Sequence, residues 1–105
     1  MVKLHKEFRY IYNKAKSFHS KSIVLFYLPN NNLRKVGFTA TKKIGNAVKR
    51  NKAKRRMRAL FIQNADKLCD GTYIFVAKEP ITTLDFKIIQ KDFKYIIRKA
   101  NAFKK

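Results

Sequence analysis

Eighteen consecutive residues, Thr41 to Arg58, hold nine Lys and Arg and no Asp or Glu. No other stretch restricts the fold as much, because such a segment can offer a packing partner only one narrow apolar stripe. Gly45 and Asn46 open it as a helix running from Ala47 to about Asn64, with Asn46 as an N-cap for an otherwise unpaired backbone N–H. Ala53, Met57, Leu60 and Phe61 then fall at i, i+4, i+7 and i+8, the stripe that packs on a sheet. Asn51, Lys54, Arg55 and Arg58 fall at i, i+3, i+4 and i+7 and share the opposite, solvent-facing side. Like charges so spaced destabilise an isolated helix, so a chain that keeps them is using them.

The flanking residues supply the layers this helix needs. Phe8, Ile11, Tyr12, Ala15 and Phe18 recur at steps of three and four, which predicts an amphipathic helix over Lys6 to Phe18. Ser22 to Leu28 is short, β-branched and aromatic, and reads as a strand. Pro29-Asn-Asn-Asn32 is a turn by composition. Lys35 to Thr41 alternates Val36, Phe38 and Ala40 against Gly37, Thr39 and Thr41, a second strand expected to pair antiparallel with the first. After a connector at Asp66 to Asp70, Gly71 to Lys78 is a third strand, closed by Pro80. Thr83 caps a last helix from Leu84 to about Asn101, with Asp85 in its first turn and a stripe of Phe86, Ile89, Phe93, Ile96, Ile97 and Ala100. The order helix, strand, strand, helix, strand, helix predicts an α+β fold, a small mixed β-sheet with about three helices, in one domain over 1–105.

The charge balance names the class of partner. With 26 Lys and Arg against 6 Asp and Glu, the 105 residues carry a formal charge of +20, which strains a compact state and is relieved by a polyanion. The six carboxylates (Glu7, Asp66, Asp70, Glu79, Asp85 and Asp92) are scattered, and none lies between Phe8 and Ala65. A two-carboxylate hydrolase site or a magnesium cage would need denser parts. His5 and His19 have no metal-ligand spacing, Cys69 stands alone, and three glycines cannot build a phosphate loop. The polypeptide is therefore expected to hold no metal and no catalytic residues of its own. No apolar run reaches the roughly 18–20 residues of a membrane span and no signal peptide opens the chain, so a cytoplasmic protein without a membrane partner is expected. Arginine forks and mobile lysines suit RNA phosphates, and Asn51 can address a 2′-hydroxyl or a base edge. Phe8, Tyr12 and Phe26, beside Arg9 and Lys14, suit either core packing or base stacking.

Phe38-Thr-Ala-Thr-Lys-Lys-Ile-Gly-Asn-Ala-Val-Lys-Arg-Asn-Lys-Ala-Lys-Arg-Arg-Met-Arg-Ala-Leu-Phe61 resembles the signature of the bacterial ribonuclease P protein component. That family ends a strand in Ser-Lys-Lys-x-Gly-Asn-Ala and continues into a helix bearing an Arg-Asn-Arg triplet and further cations. Glu7-Phe8 with Tyr12 resembles its opening helix, and Tyr73 to Pro80 its last strand, so nearly the whole chain is covered. Lys52 replaces the third residue of the triplet, keeping charge but losing the fork, and Thr41 replaces Ser.

The resemblance implies the small basic subunit of a ribonucleoprotein endonuclease that removes the 5′ leader from precursor tRNA. Catalysis and its magnesium would belong to the RNA subunit, with no cofactor on the protein, and the partners would be that RNA and the precursor tRNA. It places Lys42, Lys43, Asn46, Arg50, Asn51, Lys52, Lys54, Arg55 and Arg58 against the catalytic RNA. It places Phe8, Tyr12, Phe26 and Lys78 against the single-stranded leader. It also implies a left-handed crossover around the basic helix, against the usual handedness. The alternative with the same charge logic is a ribosomal protein or RNA chaperone. A helix-turn-helix DNA reader is disfavoured because strands precede and follow the basic helix. A membrane-surface peptide is disfavoured because the apolar stripes match strands that need covering.

Overall fold

The computed structural model describes residues 15–29 and 33–104. Four strands, β1 (Lys16–His19), β2 (Ile23–Pro29), β3 (Arg34–Thr39) and β4 (Gly71–Ala77), form one sheet in the order β1-β2-β4-β3. Two long helices, α1 (Ala47–Asn64) and α2 (Phe86–Lys99), pack on it, joined by 3-10 turns at Lys42–Ile44, Ala65–Lys67 and Glu79–Thr82. The expected α+β fold with a mixed sheet is what forms, with two helices rather than three among the described residues.

Strand alternation divides the sheet into two unlike faces. On one face Ile23, Leu25, Tyr27, Tyr73, Phe75 and Ala77 meet Ala53, Met57, Leu60 and Phe61 of α1 and Ile89, Phe93, Ile96 and Ile97 of α2. Phe75 sits at its centre, stacked on Phe93 at 5.3 Å and on Phe38 at 5.7 Å between ring centroids, with the Phe61 edge at 5.9 Å. On the other face Ile74, Val24 and Thr72 are buried, with Ala15, Phe26 and Val76 packed around Ile74. The two faces are therefore a core and a shallow half-buried apolar floor.

The strand pairing departs from the sequence expectation. β2 and β3 are not a hairpin, because β4 lies between them, antiparallel to β2 (Ile23 opposite Ala77) and parallel to β3 (Phe38 opposite Phe75). Pro29 to Asn32 therefore does not join hydrogen-bonded neighbours, and α1 is the crossover between the parallel strands β3 and β4. β4 is also the most completely buried strand, with Gly71 to Phe75 all buried, as its place between two partner strands allows.

The expected first helix ends differently too. Lys6 to Lys14 lie outside the described residues, but Lys16 to His19 form a strand, with Phe18 opposite Leu25. Ser20 makes the reversal, accepting from the Ile23 N–H at 3.0 Å while its own N–H and hydroxyl donate to the Ile23 carbonyl. The last helix begins at Phe86 with Asp85 at the N-cap position, because Pro80 and Thr83 are taken up in the 3-10 turn, where the Thr83 hydroxyl donates to the Pro80 carbonyl. At its far end Asn101 takes the left-handed conformation (φ 58°), and the Asn101 and Ala102 N–H groups close on the Arg98 and Ile97 carbonyls, a Schellman stop.

Candidate nucleic-acid interface

α1 has the bounds its sequence predicts, and its N-cap is in place: the Asn46 side chain accepts from the Lys49 N–H at 3.0 Å. Gly45, at φ 132°, turns the chain into the helix, in a conformation that L side chains rarely adopt. Ala53, Met57, Leu60 and Phe61 are buried as the stripe requires, so the remaining directions are fixed by helix geometry. Asn51, Lys54, Arg55 and Arg58 come together around Val48, itself 72% exposed, and line an open groove of about 430 Å³. The Arg58 guanidinium lies over the Phe38 ring, 5.7 Å from its centroid, which restrains the fork without spending its N–H donors. Lys42 and Lys43 continue the cationic surface from the preceding 3-10 turn, both exposed.

Other cations of the set face elsewhere. Lys52 lies with Lys49 on a second flank of α1, lining a smaller cleft with Ala53, Ile81, Thr82 and Thr83. Arg56, in that same cleft, donates to the Ile81 carbonyl at 2.8 Å and so ties α1 to the 3-10 turn after β4. Arg50 is half-buried. Arg34 is likewise structural: it donates to the Ala65 and Leu68 carbonyls at 2.8 and 2.6 Å, lies 3.7 Å from the Asp70 carboxylate, and covers the Phe61 ring.

Of the expected leader-contacting residues, Phe26 is separated from α1 by the sheet. Phe26 is half-buried on the opposite face, beside Ile74 and Val76. Lys78 is committed within the fold, its Nζ donating to the Ser20 carbonyl at 2.6 Å and its N–H to the Ser22 carbonyl. Phe8 and Tyr12 lie outside the described residues. Sequence reasoning missed Val48, in the first turn of α1, whose helical spacing to Asn51, Arg55 and Arg58 was the available signal. It also missed Asp92, whose carboxylate accepts from the Ser22 hydroxyl at 2.6 Å and N–H at 3.1 Å and fastens α2 to the β1–β2 turn.

The chemistry on offer is cationic and donor-rich. Among the described residues no three of His, Cys, Asp and Glu gather as a metal-binding group, and no helix is long and apolar enough to cross a membrane. The perturbed titrations belong to the core: burial pushes the hydroxyls of Tyr27 and Tyr73 up from their ordinary value of 10.0. The Tyr73 hydroxyl donates to the Cys69 carbonyl and that of Tyr27 to the Asp70 carbonyl, so both hold the strand entry rather than a ligand.

Known proteins resemble this chain in sequence and in fold. A family model described as Ribonuclease P matches residues 1–101. The ribonuclease P protein component of Nitratiruptor sp. is 46% identical over 98 residues, 93% of this chain and 89% of that protein. That of Bacillus pumilus is 32% identical over 105 residues, 97% of this chain and 88% of that one. The solved structure of the Staphylococcus aureus RNase P protein superposes with a TM-score of 0.87 at 28% identity, covering 98% of this chain and 96% of that chain. The Thermotoga maritima RNase P protein, solved with 1-(4-fluorophenyl)-2-thiourea, shares the fold at a TM-score of 0.83 and 21% identity, over 94% and 98% of the two chains.

Proposed function

Since the chain belongs to the ribonuclease P protein family, we propose that it binds the catalytic RNA of ribonuclease P through α1 and the 5′ leader of precursor tRNA through the opposite sheet face. The observation that carries this reading is the groove around Val48, where Asn51, Lys54, Arg55 and Arg58 converge with no carboxylate on the helix. Phosphate oxygens take the arginine forks in two places, Lys54 adds mobile charge, and Asn51 donates and accepts toward a 2′-hydroxyl. Lys42, Lys43 and Arg50 extend the surface along the RNA, and Lys52 takes phosphate from the second flank. Asn46 acts through the helix, by holding its first turn.

On the other face, Phe26 with Val76 forms a flat apolar floor on which unpaired bases of the leader stack, with Phe8 and Tyr12 as its further aromatic contacts. Lys78 shapes that region by pinning the β1–β2 turn. The protein breaks no bond: it neutralises repulsion between two RNAs, which raises substrate affinity and lowers the magnesium concentration the RNA needs. Hydrolysis, and the metal ions that assist it, belong to the RNA subunit.

The test compares cleavage of one precursor tRNA, across a magnesium titration, by RNA alone, protein alone and the mixture. The expected result is no cleavage by the protein and a lower magnesium midpoint for the mixture. Cleavage by the protein alone overturns the division of labour, and an unchanged midpoint overturns the subunit role.

A further inference from the structure

A cleft of about 400 Å³ opens where the C-terminal end of α2 meets the β1–β2 ribbon, away from both α1 and Phe26. Phe18, Tyr27 and Ala100 supply apolar wall, Lys16 and Lys99 are exposed beside it, and Asn101 closes one end. Lys16 and Phe18 lie two residues apart and Lys16 pairs with Tyr27, so all three belong to the helix-bearing face of the ribbon. The cleft is thus on the other side of the sheet from Phe26, and over β1 and β2 rather than β3 and β4, where α1 packs.

Three features define its ligand. The lining has no carboxylate and two lysines, so the ligand is an anion. The wall between the lysines is apolar and partly aromatic, and a cleft of this size takes a flat organic group rather than a bare ion. The helix carbonyls at this end are already satisfied by the Schellman stop, and the Asn101 amide has no partner among the described residues, leaving a donor and an acceptor for a heterocycle edge. Lys99 is held only by a loose contact with the Tyr95 ring, at 5.7 Å, and is free to swing.

We propose that this cleft binds one nucleotide of a single-stranded RNA, its base against Phe18 and Ala100, with the buried Tyr27 as the floor beneath, and its phosphates between Lys16 and Lys99. Asn101 meets the base edge. The site is independent of the α1 surface and of the floor around Phe26, and it would lengthen the footprint of any RNA the protein carries.

The test is titration of the isotope-labelled full chain, followed by amide NMR, with adenosine monophosphate, adenosine, inorganic phosphate and an adenosine trinucleotide. The expected result is saturable shifts at Phe18, Tyr27, Ala100 and Asn101 with the monophosphate, tighter binding of the trinucleotide, weaker binding of adenosine, and no saturable shift with phosphate. Lys99→Glu should weaken the monophosphate about tenfold, the loss expected for one charge-assisted contact, while Lys99→Arg retains it. Arg55→Ala should lower affinity for the catalytic RNA and leave these shifts as they are, which separates failure of this site from failure of the α1 reading. Shifts confined to α1, phosphate binding as well as the nucleotide, a monophosphate as tight as the trinucleotide, or a Lys99→Glu protein that binds normally would each overturn the proposal.

Discussion

Arg55 and Arg58 differ from Arg34 and Arg56 in what their donors already do, and that difference decides what each substitution costs. Arg34 and Arg56 spend theirs on backbone carbonyls inside the fold, whereas Arg55 and Arg58 stay exposed. Arg55→Ala and Arg58→Ala should therefore leave thermal stability nearly unchanged. Each should make the log–log salt dependence of RNA affinity shallower by roughly 0.7–0.9 units. Filter binding at several salt concentrations reads both slopes, and an unchanged slope would remove that arginine from the interface. Tyr73 supplies the pH-dependent counterpart. It is fully buried, and its hydroxyl is held above the ordinary value of 10.0, chiefly by burial. Above about pH 10 the unfolded chain releases this proton while the folded chain keeps it. The folded state then binds more protons, so stability falls as pH rises, by up to about 1.4 kcal/mol per pH unit. Denaturant melts between pH 8 and 11 should show that fall, and Tyr73→Phe, although less stable at pH 8, should show a shallower one.

At the scale of single elements, α1 shows why a helix can be both charged and stable. Its stripe is only four residues wide, so the cap matters more than in an apolar helix. Asn46→Ala should cost about 1 kcal/mol in denaturant melts, with Asn46→Ser restoring most of it. That helix was legible to the residue because everything defining it is local: Asn46 before it, the 3.6-residue stripe within it, and Gly45 as a hinge. The pairing of β4 was not legible in the residues themselves, and only the family resemblance, with its crossover around the basic helix, implied it. Nothing in Ser22 to Leu28 or in Lys35 to Thr41 records that a strand some thirty residues later will slide between them, and the short Pro29 to Asn32 turn pointed to a hairpin. Lys16 to His19 misled for a related reason: Phe18 satisfies a helical spacing and a strand alternation equally, and only its partner Leu25 decides. At the interface the same division holds. The convergence of Asn51, Lys54, Arg55 and Arg58 follows from helix periodicity, while the inward roles of Arg56 and Lys78 depend on carbonyls of distant turns that no spacing reveals.

The whole molecule carries +20 on 105 residues, and two of its few acids are occupied internally, Asp92 by Ser22 and Asp70 beside Arg34. Self-repulsion is therefore a standing cost of the folded state, so anything that binds the folded surface as an anion should stabilise it. Calorimetry with a short inorganic polyphosphate should raise Tm by several degrees, and by clearly more than sodium chloride at equal ionic strength. Equal effects would mean that screening alone is at work. The position of β4 has a consequence in time. During synthesis β3 leaves the ribosome with no strand to bind, and α1 follows with no completed sheet beneath its apolar stripe. Until residue 77 emerges, the most cationic part of the protein is an unanchored tether beside a machine made of RNA, so the moment of greatest risk of going astray precedes the arrival of the strand that locks everything in place.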